Sequence, residues 1–467
     1  MDSRHFLVLF LVGVSFETGS AQICNIHCDA LDPAQAINTR EAASVQIFGR
    51  TIRLYISDSD NMGWADISNG SPTDEVWIDR SFNAGFEWEG PLGHTTIPTG
   101  MQNWRTLMYN VDNPSGQQIG ALRACGKAGD RDDIACTSWA RSTVNAETRV
   151  DAAATAMMQF YNGKLFSTAG WWNGANCLTA LLDYFKITGS QTYRNVIDEI
   201  FERNKDEAFG NFLNDYIDDV LWWGLAWVNA YDLTGNTKYL DMAKINSDYG
   251  WSFKDNHCGG GLWWSTDKDY KNAIPNELFI KLAAALHNRI PGDTMYLSQS
   301  VEVWNWFKNS GMINQENLIN DGLTDDCQNN ERIAWSYNQG VILGGLLELH
   351  KATNDQSYID EAKKIVEAVF RSDQLTPNGI LTDYGCEPGD CGGDVPTFKG
   401  VFVRNLAELN RFLPDKPYTS WLQTQANSIW ENNRNTLNQF GLRWAGTFDK
   451  VDAARHQSAF EAFVAAV

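Results

Sequence analysis

The sequence predicts an all-α (α/α)6 barrel preceded by a small all-β, sandwich-like domain. Three observations support this: short β-branched runs up to about residue 140, a helical period from about residue 142, and a turn that recurs five times in the helical part. A chain of 467 residues is long enough for two domains. We therefore expect a β-rich domain over 22–141 and a barrel over 142–467.

The first 21 residues have the pattern of a secretory signal peptide. Arg4 precedes the apolar run 6–14, and small residues at 19–21 offer a cleavage site. Such a run is too short to span a membrane. The C-terminal run 459–467 contains Glu461 and lacks the long apolar tail of a lipid-anchor signal. We expect a secreted, extracellular and soluble protein with no membrane partner.

The β-rich domain is predicted from runs of β-branched residues with alternating character, separated by Asn, Gly, Pro and Asp. These runs are 44–48, 51–56, 75–79 and 104–109. The segment 81–88 resembles the Asp-box hairpin of sialidases, with Asn83 where that motif prefers Asp, and we interpret it as a folding element. The connection 137–142 has no flexible-linker composition, so we expect the domain to pack rigidly against the barrel.

Nine cysteines in a chain with a signal peptide indicate disulfides, and the odd count leaves at least one outside them. Cys386 and Cys391 bracket a tight loop and should bond each other, and Cys258 with Cys327 is a second expected pair. Cys177 lies in a helical stretch and is the expected free thiol. Three connectivities stay open for Cys24, Cys28, Cys125 and Cys136. No Cys–His spacing resembles a metal site, so we expect no metal and no cofactor.

Composition narrows the class of partner. Hydrophobic residues make up 43% and charged residues 20% of the chain, as in ordinary globular proteins. A net charge of −21 argues against nucleic acid or an anionic membrane. Nineteen tryptophans are a large number for this length, and surplus indole rings indicate recognition of flat-faced ligands such as sugars. We expect a monomer that binds a polysaccharide.

The repeated turn defines the helical part. In each copy Gly or Asn ends one helix in the left-handed conformation, a polar residue caps the next helix, and Tyr packs one turn in. The copies recur at intervals of roughly 46 to 62 residues, about one helical hairpin plus a loop. They are 188–193, 234–239, 291–296, 353–358 and 413–418. With flanking helices, they predict about twelve helices in six hairpins that close into a ring.

Asp218 and Asp219 form the most informative chemical feature, followed at once by a Trp-rich helix. Two adjacent carboxylates repel each other, so one is ionised and one is protonated near neutral pH. Such a pair is what glycosidic bond cleavage requires. A structural interpretation stays open, because acidic residues at a helix start also complement its free N–H groups.

The five repeated turns lie at one end of the predicted ring, so the loops entering the inner helices lie at the other. Trp, Tyr, Asn, Gln and charged residues collect in those loops and predict a polar, Trp-lined cleft. The expected substrate-binding residues are Trp172, Asn173, Asn176, Trp222, Trp223, Gly260, Trp263, Trp264, Asn272, Asn276, Tyr337, Asn338, Gln339, Lys399 and Arg404. Glycine at 259–261 would let the backbone approach the sugar closely.

Five ordered motifs lie in these loops and helix starts, at 218–224, 258–264, 271–277, 337–340 and 398–404. Together they closely resemble glycoside hydrolase family 76, which holds endo-α-1,6-mannanases and related fungal cell-wall mannosyl transferases. The resemblance covers about 142–467 and implies an (α/α)6 barrel with a retaining mechanism. It implies that Asp218 is the nucleophile and Asp219 the general acid/base. The β-rich domain lies outside the resemblance.

Neighbouring residues on a regular helix point about 100° apart. Both carboxylates can therefore flank one bond only if the sugar lies over the helix start, with Tyr216 and Ile217 still in the loop. The leading hypothesis is a secreted retaining endo-α-1,6-mannanase acting on α-mannan. One alternative is a transglycosylase that joins mannan to an acceptor through the same covalent intermediate. Another is a non-catalytic carbohydrate-binding protein in which the Asp pair is structural.

Overall fold

The computed structural model describes residues 22–387 and 389–467, and the predicted signal peptide lies outside them. Within the described residues, nine β-strands precede twelve α-helices, so the predicted change from β to helical structure is confirmed. None of the helices in that part of the chain combines the length and the apolar character needed to cross a lipid bilayer.

The strands form two antiparallel sheets. They are β1 (Thr39–Ile47), β2 (Arg50–Ser57), β3 (Met62–Ser68), β4 (Glu75–Ser81), β5 (Glu89–Thr96), β6 (Trp104–Arg105), β7 (Tyr109–Asn110), β8 (Ala121–Lys127) and β9 (Ile134–Cys136). One sheet runs β1-β2-β3, with β6 and β7 both paired to β3, and the other runs β5-β4-β8-β9. The alternating apolar side chains of β2 and β4 share one core, including Ile52, Leu54, Val76 and Ile78, which gives the sandwich-like packing.

The predicted strand at 104–109 is wrong in one respect, because it is two short strands. Thr106 breaks the ladder: its side-chain oxygen accepts a hydrogen bond from the backbone N–H of Ala65 at 3.1 Å. The side chain thus takes the place of a backbone acceptor, and regular pairing stops for 106–108. Runs 44–48, 51–56 and 75–79 coincide with β1, β2 and β4, apart from Phe48.

The helices are α1 (Arg149–Met158), α2 (Trp171–Thr188), α3 (Asn195–Asn204), α4 (Ile217–Thr234), α5 (Thr237–Trp251), α6 (Ala273–His287), α7 (Met295–Asn309), α8 (Ser336–Thr353), α9 (Gln356–Arg371), α10 (Phe398–Phe412), α11 (Thr419–Asn432) and α12 (Ala453–Ala465). The even-numbered helices contact one another in a closed cycle, in which α12 packs against α2. Every residue of α12 is buried, whereas α9 buries one face.

The repeated turns end the even-numbered helices largely as the sequence predicts. Gly189, Gly235 and Asn354 are left-handed, with φ of 73°, 69° and 58°. Each donates its backbone N–H to the carbonyl four residues earlier, which satisfies one free acceptor of the helix end. The third and fifth turns differ, because α6 ends at His287 with a right-handed Asn288, before the turn is reached, and α10 ends at an extended Leu413. Leu413 precedes Pro414, and a residue before proline avoids the helical conformation.

The disulfide predictions are confirmed, and one open point is resolved. Cys258 bonds Cys327, and Cys386 bonds Cys391, as expected. Cys177 is the buried free thiol. The two remaining pairs are Cys24–Cys28 and Cys125–Cys136.

The β region packs directly on the helical region. Ile119 belongs to the helical core cluster, and Ala84 packs against the same cluster. Thr436 donates a hydrogen bond to the carbonyl of Trp139 at 2.8 Å. Arg141, near the end of the connection 137–142, forms a largely buried ion pair with Asp112 at 3.0 Å. The connection is therefore fixed by a charged pair and is not a free tether.

We expect a fragment that begins at Ser142 to be poorly soluble or to melt well below the intact chain. Its helical surface would expose the apolar area that Ile119 and Ala84 cover. Solubility and the melting temperature of fragment and intact chain are the measurement. Thr436→Ala in the intact chain is the control, because it removes only one exposed hydrogen bond and should change the melting temperature little. A fragment that melts at the temperature of the intact chain would show that the interface is dispensable.

Candidate active site

The Asp pair lies in the first turn of α4, at the end of the ring opposite the repeated turns. α4 begins at Ile217, one residue earlier than the sequence argument expected, and Tyr216 before it is extended. Tyr216 pairs with Ser265 in an isolated bridge, and Ile217 donates its N–H to the carbonyl of Trp264 at 2.8 Å. This pairing fixes the helix start, so that Asp218 and Asp219 line the same cleft.

A cleft of about 560 Å³ opens over this helix start. Its walls come from the entry loops and first turns of several even-numbered helices, which is where the sequence predicted a cleft. The lining residues are Trp172, Tyr216, Asp218, Asp219, Trp222, Trp264, Tyr270, Asn272, Asp321, Arg332, Tyr337, Asp394 and Phe398.

Aromatic rings form two sides of the cleft. Trp172 stacks on Trp222 with ring centres 5.6 Å apart, and Tyr337 stacks on Phe398. Across the Asp pair, the Trp264 ring centre lies 5.1 Å from that of Tyr216. Rings that pack on each other keep fixed orientations, and flat apolar faces beside polar groups suit a sugar ring.

The pKa values of both aspartates lie above the usual range of a carboxyl group. Burial and, to a smaller extent, the charge of Asp394 raise the pKa of Asp219 to about 6, against the lowering effect of the hydrogen bond from Asn214. The Asn214 amide donates to Asp219 Oδ2 at 2.7 Å. Burial and the charge of Asp219 raise the pKa of Asp218 well above its usual range. Asp218 therefore holds a proton more tightly than Asp219 does in the free protein.

Other carboxylates of the cleft accept hydrogen bonds from aromatic residues that line it. The Trp172 indole donates to Asp394 at 2.8 Å, and the Tyr270 hydroxyl donates to Asp321 at 2.5 Å. Four carboxylates and one guanidinium, that of Arg332, line the cleft. This balance disfavours an anionic ligand and favours a neutral, hydroxyl-rich one.

Residues 145–467 match the sequence profile of "Glycosyl hydrolase family 76". The chain belongs to glycosyl hydrolase family 76. The match covers more than half of the chain and contains all twelve described helices. The resemblance that the five motifs indicated is therefore confirmed.

Curated relatives of this family 76 chain include two proteins named mannan endo-1,6-alpha-mannosidase DCW1. The protein from Saccharomyces cerevisiae is 27% identical over 311 residues, which are 58% of this chain and 67% of the relative. The protein from Candida albicans is 27% identical over 285 residues, which are 55% of this chain and 62% of the relative.

Two solved structures share the fold. The GH76A α-1,6-mannanase from Salegentibacter sp. HEL1_6 is 25% identical with a TM-score of 0.61, covering 68% of this chain and 98% of that one. A family 76 glycoside hydrolase from a bovine Bacteroides thetaiotaomicron strain is 18% identical with a TM-score of 0.58, covering 86% of this chain and 95% of that one. The 86% of this chain that the Bacteroides thetaiotaomicron structure covers is more than the part that matches the family profile.

The structure brings seven of the sequence-predicted site residues together in the cleft. These are Trp172, Asp218, Asp219, Trp222, Trp264, Asn272 and Tyr337. The other ten do not line the cleft, and most of them pack against or bond to other protein groups around it. These are Asn173, Asn176, Trp223, Gly260, Trp263, Asn276, Asn338, Gln339, Lys399 and Arg404.

Asn276 and Gln339 tie entry loops to the helix starts. The Asn276 side chain accepts from the backbone N–H of Leu262 at 2.7 Å and donates to the same residue's carbonyl. The Gln339 side chain likewise accepts from the backbone N–H of Ile319 and donates to the carbonyl of Ile319, both at 2.8 Å. Each amide thereby acts as a strand partner for a loop that forms no sheet.

The glycine-rich loop packs on protein in the part of the chain described. A Cβ at Gly261 would lie 2.3 Å from the Trp306 ring, and one at Gly260 would also contact it. The buried ammonium of Lys271 donates to the carbonyl of Gly260 at 2.6 Å. Trp263 donates its indole N–H to Asp255 at 2.6 Å. The glycines thus admit Trp306, where the sequence suggested a sugar.

Charged and amide groups on α2 and α10 are paired with other protein groups. Arg404 donates to Glu461 at 2.8 Å and to Asn176 at 2.6 Å. Lys399 donates to Glu387 at 2.6 Å. The remaining buried residues include Asn173, bonded to Thr397, and Asn338, whose amide atoms have no hydrogen-bond partner among the described residues.

Sequence reasoning missed six residues of the cleft and its support: Asn214, Tyr270, Asp321, Arg332, Asp394 and Phe398. Two of them carried a signal, since Phe398 opens one motif and Tyr270 directly precedes another. The two aspartates lie in loops without periodicity, and only the fold brings them to the cleft.

Two groups of possible metal ligands occur among residues 22–387 and 389–467. They are His257 with Cys258 and Cys327, and Asp79 with Cys125 and Cys136. In both groups the two cysteines form a disulfide, so neither offers the free thiolate that metal binding requires.

Trp223→Ala should lower the free energy of unfolding by roughly 3–5 kcal/mol, the usual cost of truncating a buried large aromatic residue. Trp223 is fully buried between Trp171 and Phe212. Trp264→Ala is the matched control, because its ring is partly exposed in the cleft, and it should cost clearly less. Denaturant unfolding of both variants measures the difference. Equal losses would contradict the assignment of Trp223 to the core and Trp264 to the cleft.

Proposed function

We propose that this chain is a retaining hydrolase that cleaves α-1,6-mannosidic bonds within mannan, with Asp218 and Asp219 as its catalytic pair. The observation that carries the proposal is the placement of two adjacent, partly buried carboxylates in one aromatic-walled cleft of a family 76 chain. A shared proton gives the pair one acid and one base at neutral pH, which is what a retaining mechanism uses.

The relatives support the choice of substrate. Those from Saccharomyces cerevisiae and Candida albicans are named mannan endo-1,6-alpha-mannosidases. An inactive variant of the Salegentibacter mannanase has asparagine in place of two consecutive aspartates and forms a complex with α-1,6-mannotriose. Asp218 and Asp219 are likewise consecutive, and the acidic cleft suits an uncharged hexose polymer.

The proposed reaction has two steps. The Asp218 carboxylate attacks the anomeric carbon while Asp219 gives its proton to the leaving oxygen, so the glycosidic bond breaks and a glycosyl–enzyme ester forms. Asp219 then takes a proton from water, and the resulting hydroxide equivalent displaces Asp218 and restores both groups. In the free protein Asp218 holds the proton more tightly than Asp219, because burial and the charge of Asp219 raise the Asp218 pKa. On binding, a glycosidic oxygen that accepts a hydrogen bond from protonated Asp219 draws the proton to that residue.

We also propose the architecture and the location in their finer form. The closed cycle of even-numbered helices is the inner ring of an (α/α)6 barrel, with the odd-numbered helices outside. Residues 22–141 and 142–467 are two docked domains of a secreted monomer. The closed cycle of contacts between the even-numbered helices supports the barrel. The four disulfides support an oxidising, extracellular setting.

Incubation with linear α-1,6-mannan, followed by mass spectrometry of the products, tests the proposal. Endo-hydrolysis gives a ladder of short oligosaccharides. Chains longer than the starting polymer would assign transglycosylation instead. Intact polymer that the protein still retains would replace the enzyme assignment with a binding function.

Asp218→Asn should lower mannan turnover by several orders of magnitude, because the amide cannot form the covalent intermediate. Asp219→Asn should be similarly impaired on mannan, yet regain rate on an aryl mannoside whose leaving group needs no proton. Asp215→Asn is the control, since Asp215 is exposed three residues earlier and does not line the cleft. Recovery by the Asp218 variant instead of the Asp219 variant would exchange the two roles, and full activity of both would refute the pair.

The activity should fall as the pH drops below about 6, because protonation of Asp219 then removes the last carboxylate charge of the pair. The hydrogen bond from Asn214 stabilises the ionised form and lowers this pKa. Asn214→Ala should therefore shift the acidic limb of kcat/KM to higher pH. Asn309→Ala, at an exposed position on α7, is the matched control. An unshifted limb in an active Asn214 variant would show that this amide does not set the pKa.

A further inference from the structure

A second cleft, of about 860 Å³, lies between the β region and the helical region. The β region contributes the turn between β4 and β5 and the loop 115–118. The helical region contributes the loop 159–167 and the side chains of Glu199 and Arg203 on α3. The two regions are docked, so the walls hold a fixed distance and the cleft is part of the folded protein.

The turn between β4 and β5 is the segment that resembles an Asp box, and it shapes one wall. Asn83 Oδ1 accepts the backbone N–H of Glu87 at 2.8 Å, and Ser81 Oγ accepts that of Gly85 at 2.9 Å. These hydrogen bonds stabilise the turn, which is the structural role that the sequence predicted for this segment. They also place the next side chain, Trp88, in the cleft.

Trp88 is a rigid and accessible platform. The Arg123 guanidinium lies 4.4 Å from the Trp88 ring centre and 4.6 Å from that of Trp139. This stacking supports the Trp88 ring from one side, yet its side chain stays 53% exposed. A large aromatic ring left half in water and held in orientation is a typical surface for stacking a sugar ring.

The facing wall offers an unused hydrogen-bond donor. Gln159 is 1% exposed, and its Oε1 accepts from Gln439 at 2.8 Å. Its Nε2 is buried and has no hydrogen-bond partner among the described residues. Leaving a buried donor unpaired costs about 1–3 kcal/mol. Gln159 is among the residues that line the cleft.

Two arginines and three glutamates line the second cleft, so its positive and negative charges nearly balance. Arg80 is paired with Asp29 at 2.9 Å and with Glu89 at 2.5 Å. Glu199 accepts a hydrogen bond from Tyr161 at 2.9 Å. A cleft with nearly balanced charges and an aromatic face suits a neutral and hydroxyl-rich ligand.

The two clefts lie at the same end of the ring. The loop from α1 to α2 lines the second cleft up to Ser167, and Trp172 in the first turn of α2 lines the catalytic cleft. Four residues lie between Ser167 and Trp172, so the Cα atoms of these two residues are at most about 18 Å apart. One oligosaccharide of moderate length can therefore reach both clefts.

We propose that the second cleft is a glycan-binding site that holds a stretch of the same α-1,6-mannan chain outside the catalytic cleft, with Trp88 as its stacking platform. This inference rests on the proposed function, because it takes the polymer to be the substrate. The site increases the effective concentration of long chains at the catalytic cleft. Short oligosaccharides that fill only the catalytic cleft gain nothing from it.

Trp88→Ala tests the site in the full-length protein. Trp104→Ala is the matched control, because Trp104 is an exposed tryptophan of the same region that lies outside the cleft. Retention by linear α-1,6-mannan in affinity electrophoresis is measured in an Asp218→Asn background, which separates binding from cleavage. Turnover of α-1,6-mannotriose is measured with Asp218 intact, and melting temperatures confirm that each variant is folded.

We expect Trp88→Ala to weaken mannan retention roughly three- to tenfold, the scale of one aromatic contact, with mannotriose turnover unchanged. Trp88→Tyr should keep most of the retention, because it keeps a ring. Equal retention by the Trp88 and Trp104 variants would overturn the site, as would an equal loss on mannotriose. Retention that depends on Trp88 without any cleavage would uphold the site and overturn the hydrolase. A protein that neither retains nor cleaves mannan would overturn both.

Discussion

The cleft that contains the Asp pair depends on side chains that connect irregular loops to the starts of buried helices. The even-numbered helices are enclosed by protein, so the polar groups at their first turns need partners within the fold. Asn276 and Gln339 supply them by bonding both backbone groups of a loop residue, Leu262 and Ile319. The loop that ends in Trp264 then fixes Ile217, and through it the Asp pair. The position of the Asp pair therefore depends on the Asn276 side chain, which lines no part of the cleft.

Features of the fold that depend on neighbouring residues could be predicted from the sequence. Side-chain pairs between residues that are distant in the sequence could not. The left-handed caps at Gly189 and Gly235 follow from chemistry within one turn, so their signal is complete in the sequence. The side chains of Lys399 and Arg404 resemble ligand-binding groups by type and position. Their partners, Glu387 and Glu461, are 12 and 57 residues away, and only the folded chain shows that they are paired.

The same limit applies within the site. The Asp pair could be identified from the sequence because two adjacent carboxylates beside a Trp-rich helical stretch are unusual in themselves. Recognising them requires no knowledge of which other elements lie nearby. Asp321 and Asp394 complete the acidic lining, yet each is a single acidic residue in a loop. Their contribution comes from convergence, which depends on the closed order of the helices. Composition could indicate a sugar-binding surface but could not divide the tryptophans between core and cleft.

The closure of the ring by α12 has a consequence for biosynthesis. α12 packs between α10 and α2, and all its residues are buried, although α2 leaves the ribosome more than 250 residues earlier. Until α12 emerges, the nascent chain has two unpaired apolar helix flanks and an open cycle. Such flanks are surfaces to which chaperones bind and through which incomplete chains aggregate. The entry loops of α2 and α4 can take their final positions only after translation of the helix that joins the two ends of the cycle.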